Sequence, residues 1–299
     1  MGKDINNDNS FMIRFRSSVI LMAVAITAMV LGSYTLFGVI ALITLIGLME
    51  LYRVVGVNKM SAGFVGYSIA VLYFIYVFIK EFIITEIDFI DFSLNHSVLF
   101  KIYTMSFLII IALLLIILLA VYVLTFPKYN SEQITMVFFG FFYVVMPLMY
   151  IFLTRQMEGG AYTVWLIFIG SWGSDTMAYV VGRKLGKTKI APKLSPKKSL
   201  EGLIGGIVGA ALIGIIYALI FKSKLDEYFS NPILVFALTG AIGSVVSQIG
   251  DMAASAIKRN KGIKDYGTLI PGHGGILDRF DSVIFIAPIV YLLMNIFSR

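Results

Sequence analysis

Long apolar runs broken by short charged segments dominate this chain. The runs lie near residues 17–31, 34–52, 61–84, 99–125, 133–154, 161–181, 202–221, 231–257 and 280–298. A helix crosses a bilayer with about 20 apolar residues, and most of these runs approach or exceed that length. Alternation of polar and apolar positions is missing, which disfavours a membrane β-barrel. The pattern predicts an all-α, polytopic integral membrane protein with about nine transmembrane helices. The first two runs are short and separated only by Gly32-Ser33. Lys3, Arg14 and Arg16 precede the pair, and Arg53 and Lys59 follow it. Basic residues favour the cytoplasmic face, so both flanks belong on one side and the two runs form a hairpin.

Composition supports this class. The chain has 299 residues, 59% hydrophobic and 14% charged, against about half and a quarter in soluble domains. There is no cysteine, so disulfides and thiolate metal sites are excluded. Met1–Ser10 is polar, and no small-residue cleavage site follows the first apolar run. That run therefore reads as an anchor rather than a signal peptide.

Charge fixes an expected orientation. Of 24 lysines and arginines, 18 fall on one alternating set of segments and six on the other. The expectation is an inner (cytoplasmic) membrane protein with its N-terminus and basic loops cytoplasmic and its C-terminus on the opposite side. The loop with Glu81, Glu86, Asp88 and Asp91 suits the external face. The net charge of +7 is mostly this orientation signal. Two segments, Arg183–Lys198 and Lys258–Lys264, are denser in cations than orientation requires, and they would attract anionic membrane lipids. Such short, lipid-tethered loops do not suit nucleic acid.

The polar chemistry is confined to the second half. The expected organisation is a polar N-terminal tail (1–16), a transmembrane scaffold (17–154) and a catalytic transmembrane domain with cytoplasmic loops (155–299). Asp175 lies eight residues before Arg183, and Asp251 seven before Lys258. At the helical rise these are depths of about 12 and about 10 Å. A carboxylate at such depth is costly unless paired or metal-bound. The bland alternative for each is a hydrogen bond or salt bridge to a neighbouring helix. Asp278 and Asp281 are three apart at the start of the last run. Helical spacing puts them on one face, and an acidic first turn also suits the helix dipole. With Asp251 they offer hard oxygen ligands for Mg²⁺, whereas two histidines and no cysteine make zinc a poor candidate.

Two loops complete the constellation. Gly272-His273-Gly274-Gly275 precedes the last helix and could turn backbone N–H groups towards an anion; His273 could cap that turn or touch phosphate. Ser195-Pro196-Lys197-Lys198-Ser199 precedes the seventh run. Ser199 suits an N-cap, with Glu201 in the first turn. The same residues suit a triphosphate cradle: two lysines and a hydroxyl at a positive helix end. The glycines at 202, 205, 206, 209 and 214 suit close helix packing or pairing of two copies as a homodimer. Pro147 and Pro288 are expected to kink their helices, and Trp165 and Trp172 to anchor or pack.

Ser255, Lys258, Arg259, Lys264, Asp265, Gly267, Ile270, Pro271, His273, Gly274, Gly275, Asp278, Arg279 and Asp281 together resemble the signature of the phosphatidate cytidylyltransferases, the CDP-diacylglycerol synthases. Residues 175–179 and 195–198 resemble the same family, in which Thr is frequent at the place of Ser199. The specific similarity covers about residues 171–281. The resemblance implies transfer of CMP from CTP to phosphatidate, with release of pyrophosphate. It implies Asp251, Asp278 and Asp281 as catalytic metal ligands, with Asp175 beside them, for Mg²⁺ and possible need of a second cation. Ser195, Lys197, Lys198 and Ser199 would hold the CTP phosphates. Lys258, Arg259, Lys264 and Arg279 would face the phosphatidate headgroup or the pyrophosphate. The 263–277 loop is expected to dip inwards to meet Asp251. Two alternatives stay open: a CTP-dependent polyprenol or dolichol kinase, and a cation-coupled transporter, whose intramembrane aspartates would mark an ion path.

Overall fold

The computed structural model describes residues 2–84 and 96–299, with side chains described for residues 16, 17, 19–82 and 105–299. The acidic positions Glu86, Asp88 and Asp91 lie outside the described residues. The helices in chain order are α1 (Gly2–Leu31), α2 (Ser33–Val55), α3 (Ser61–Phe82), α4 (His96–Leu124), α5 (Ser131–Gln156), α6 (Gly160–Leu185), α7 (Leu200–Ile220), α8 (Pro232–Asn260) and α9 (Leu277–Phe297). All except α1 are long and apolar enough to cross a membrane, and α1 carries the shorter apolar stretch Val19–Leu31. Among the described residues there is no strand, only three isolated bridges.

Local chemistry sets the boundaries. The expected break between the first two runs is present: Gly32 and Ser33 adopt φ of 61° and 44°, which no continuing helix tolerates. The polar N-terminal stretch is helical from Gly2 onwards. Helix α5 starts with a reciprocal cap in which the Asn130 side chain accepts from Gln133 N (2.8 Å) and Gln133 Oε1 from Asn130 N (3.1 Å). Asn231 caps α8 ahead of Pro232 at its first turn, where a missing N–H does no harm. Pro147 follows a π-helical stretch, Phe141–Val145, within α5. That wider turn accommodates the hydrogen bond proline cannot make. Pro288 sits inside α9, which continues past it.

The chain divides into two compact units, residues 44–146 and residues 1–43 with 147–299. The core of the 44–146 unit is apolar and aromatic. Tyr52 is fully buried there and donates to the Val137 carbonyl at 3.0 Å. Gly140 makes room for it, since a Cβ there would lie 2.9 Å from the Tyr52 ring.

The other unit is organised around α6, α7, α8 and α9. Glycines on α7 let its neighbours approach backbone to backbone. A Cβ on Gly202 would meet the Ala178 carbonyl at 2.9 Å, and one on Gly214 would meet the Phe236 carbonyl at 2.6 Å. The glycine pattern is thus used for packing within the chain. Helix α1 runs beside this group. Ser17 Oγ donates to the Pro271 carbonyl at 3.3 Å, and Arg155 Nε donates to the Met29 carbonyl at 3.1 Å. Pro271 lies at the end where α8 finishes and α9 begins, and Arg155 at the end where α6 begins. The apolar part of α1 therefore traverses the depth of its unit. Arg155 also places a cation at the carbonyl end of α1, where the helix dipole favours one.

Candidate active site

The loop joining α6 to α7 is tied into a compact cradle. The Glu201 carboxylate accepts from Lys187 N (3.0 Å) and Thr188 N (3.2 Å). Leu200 N donates back to Thr188 O at 2.9 Å, and Lys189 pairs with Ser199 as an isolated bridge. Ser199 is the N-cap of α7, its Oγ accepting from Gly202 N at 3.2 Å. Its sequence-predicted capping role is therefore met. One lone pair is used, and the hydroxyl still lines the cavity described next. Ser195 does not line it. Its carbonyl accepts from Lys198 N at 3.2 Å, so it shapes the turn that presents the two lysines.

A cavity of about 510 Å³ opens between this loop, α6, α7 and α8, a size typical of small-molecule sites. Its walls include Asp175, Arg183, Lys189, Lys197, Lys198 and Ser199. Asp175 follows a π-helical stretch, Ile169–Gly173. The extra residue of a π-turn rotates whatever follows it, and such bulges recur at functional sites. Asp175 is accessible from the cavity and feels the charges of Asp251 and Lys198. Lys198 Nζ lies 2.6 Å from Asp251 Oδ2 and 3.4 Å from the Gln248 carbonyl. The two depth-matched aspartates are thus brought to one place, with a lysine between them and the cradle.

Helix α8 ends, and α9 begins, in a second and deeper arrangement. Lys258 Nζ lies 2.9 Å from Asp278 Oδ1 and 3.7 Å from Asp281 Oδ2. All three residues are buried. Asp278 Oδ2 accepts from Tyr266 N at 2.7 Å and Gly275 N at 2.9 Å. One carboxylate therefore gathers residues near both ends of the 263–277 loop, and the aspartate that anchors the loop is Asp278, where the expectation named Asp251. The turn is closed by Ile270 N donating to Gly274 O at 2.8 Å, with Gly272 and Gly274 at φ 75° and 85°. A side chain at Gly274 would also crowd Asp278 Oδ2 at 3.0 Å. The Lys258 ammonium stands 5.3 Å from the Tyr266 ring centroid, within cation–π range.

The basic residues expected at a lipid headgroup divide. Lys258 lies beneath the surface, committed to aspartates. Lys264 is exposed. Arg259 is exposed and donates from Nη1 to the Ile263 carbonyl at 3.2 Å, closing the end of α8. Arg279 is half-buried, and its backbone carbonyl accepts from Trp172 Nε1 at 3.4 Å. His273 N donates to Ile270 O at 2.9 Å, which places the imidazole on the turn itself.

Among the described residues no three histidine, cysteine, aspartate or glutamate side chains converge closely enough to hold a metal ion as they stand. The donor chemistry nonetheless suits a hard cation. Asp281 feels the charges of both Asp251 and Asp175, so the three carboxylates share one electrostatic neighbourhood. A carboxylate offers about four acceptor positions. Asp278 uses three of them, whereas among the described residues Asp251 meets Lys198 alone. Of the two, Asp278 has the less acceptor capacity to spare.

Sequence reasoning missed three contributors. Gln248 lines the cavity and its Nε2 donates to Leu203 O and Ser244 Oγ, both at 3.3 Å. Ser244 in turn meets Ser174 Oγ at 2.6 Å. The spacing of three between Gln248 and Asp251 was the available signal, because it puts both on one helix face. Tyr266 and Trp172 hold the α9 turn through a backbone N–H and an indole N–H. Nothing in their spacing marked them.

Residues 12–297 match the family model described as "Cytidylyltransferase family". The chain is similar to the phosphatidate cytidylyltransferase of Bacillus subtilis (strain 168), 31% identical over 190 residues that cover 63% of this chain and 68% of that protein. It is also similar to the phosphatidate cytidylyltransferase of Rickettsia prowazekii (strain Madrid E), 35% identical over 177 residues, 59% of this chain and 75% of the relative. The corresponding figures for Thermotoga maritima are 33% over 147 residues, 48% and 53%.

Proposed function

The chain belongs to the cytidylyltransferase family, and we propose that it transfers CMP from CTP to phosphatidate, giving CDP-diacylglycerol and pyrophosphate. The observation that carries this reading is the cavity lined by Lys197, Lys198 and Asp175, with Lys198 also paired to Asp251.

A phosphate oxygen of phosphatidate attacks the α-phosphorus of CTP, and the bond from that phosphorus to the bridging oxygen of pyrophosphate breaks. The attacking phosphate is already ionised, so no strong base is required. The obstacle is repulsion between two anions, and positioning with charge neutralisation lowers it. Lys197 and Lys198 hold the triphosphate, with the Ser199 hydroxyl and the positive end of α7 beside them. Arg259, Lys264 and Arg279 face the lipid headgroup or the departing pyrophosphate, and His273 flanks them on its turn. Lys258 keeps Asp278 and Asp281 in place rather than touching substrate. Asp251, Asp278 and Asp281, with Asp175 beside them, would hold Mg²⁺, which when bound neutralises charge developing on the phosphates. The excess of cations on these loops supports a cytoplasmic active site, with the C-terminus on the opposite side.

The test is to incubate purified protein with CTP, phosphatidate and Mg²⁺ and to measure pyrophosphate. Stoichiometric pyrophosphate and CDP-diacylglycerol are expected. Release of CDP with a phosphorylated polyprenol would assign a kinase instead. Ion flux in proteoliposomes without CTP turnover would assign a transporter.

A further inference from the structure

Lys198 touches two things that the proposed reaction needs at different moments. It lines the cavity as part of the phosphate cradle, and its ammonium is 2.6 Å from Asp251 Oδ2. Its neighbour Lys197 lines the same cavity and has no described ion pair. Both partners of the 198–251 pair are only partly covered, with side chains 22% and 31% exposed. That partial exposure leaves the pair open to ligands that enter the cavity, unlike the buried group around Lys258.

We propose that Lys198 is an exchangeable counter-ion. It competes with a divalent cation for Asp251, and transfers to the nucleotide phosphates when that cation binds. This rests on the reading of the site as a CTP- and cation-dependent one. A triphosphate that draws Lys198 away from Asp251 frees a carboxylate oxygen for the cation. A cation on Asp251 likewise frees the ammonium for phosphate. Each ligand then tightens the other, and linkage makes that coupling reciprocal. The Gln248 carbonyl, 3.4 Å from Lys198 Nζ, offers the ammonium a neutral resting contact beside Asp251.

The experiment measures Mn²⁺ binding to the full-length protein in detergent by electron paramagnetic resonance, without turnover. Lys198→Gln is expected to bind Mn²⁺ at least about fivefold more tightly than wild type in the absence of nucleotide. Lys197→Gln, with the same loss of charge, is expected to stay within about twofold. A non-hydrolysable CTP analogue is expected to tighten Mn²⁺ in wild type more than in Lys198→Gln. Lys198→Met repeats the comparison should the glutamine variant aggregate. Equal tightening by both neighbouring substitutions would reduce the effect to general electrostatics and overturn the exchange. Unchanged Mn²⁺ affinity in Lys198→Gln would do the same. Asp251→Asn separates this failure from a failure of the site reading. If Asp251→Asn weakens Mn²⁺ while Lys198→Gln leaves it unchanged, only the exchange falls. If Mn²⁺ binding ignores Asp251 altogether, the cation site falls with it.

Discussion

Two lysine–aspartate groups sit in this unit, and they are built differently. Lys258 is buried with Asp278 and Asp281, and Asp278 also receives two backbone N–H groups. Lys198 and Asp251 meet at the wall of an open cavity, partly exposed. The first group has the geometry of a fastener. Removing one member strands a buried charge, and two loop ends lose their anchor. The second stands partly exposed beside the cavity, so ligands can reach it. The sequence shows the same residue types in both. Burial and the number of satisfied acceptors distinguish them.

The largest expected effect breaks the fastener. Lys258→Met leaves two buried carboxylates without their cation and should destabilise the protein by about 3–5 kcal/mol. Thermal unfolding in detergent measures it, and a variant as stable as wild type would refute the assignment. Asp251→Asn addresses the other group and should leave stability almost unchanged. Pyrophosphate release should fall by about 10²–10³-fold, the range seen when one preorganised electrostatic contact is lost. A parallel loss of stability would show that Asp251 is structural after all. Between the two groups stands the α7 cap. Ser199→Ala should lower stability by about 1 kcal/mol and weaken CTP binding, while Ser199→Thr should retain both. Equal loss in the two variants would rule out a hydroxyl role. The smallest effect is expected at Lys193, exposed on the α6–α7 loop. Lys193→Gln should change stability by less than about 0.5 kcal/mol, and a larger effect would mean the cradle reaches further along the loop than Lys197.

Much of this was legible along the chain. The helices follow the apolar runs closely, because span length is dictated by bilayer thickness rather than by tertiary detail. The break at Gly32-Ser33 and the Ser199 cap were readable from short-range chemistry. Trp172, Tyr266 and Gln248 were not. The Trp172 indole N–H reaches Arg279 O, the Tyr266 backbone N–H reaches Asp278 and the Gln248 amide reaches Leu203 O. These partners lie far along the chain, and only the helical spacing of Gln248 from Asp251 gave a local mark.

The division of labour among the cations was equally hidden. Lys258 and Lys264 are six residues apart on one basic stretch. One is buried against two aspartates, and the other is exposed. Only the turn at the end of α8 separates them.

What the linear order of residues determined was the class of molecule, the number and placement of its helices, and the inventory of carboxylates and cations in the second half of the chain. Those properties depend on hydropathy, helical rise and capping, all of which act over a few turns. Which aspartate is saturated, which lysine is buried and where the cavity opens were decided by the packing of α6, α7, α8 and α9. Such facts depend on distances of a few ångströms between residues 20 to 50 positions apart, and no local rule encodes them.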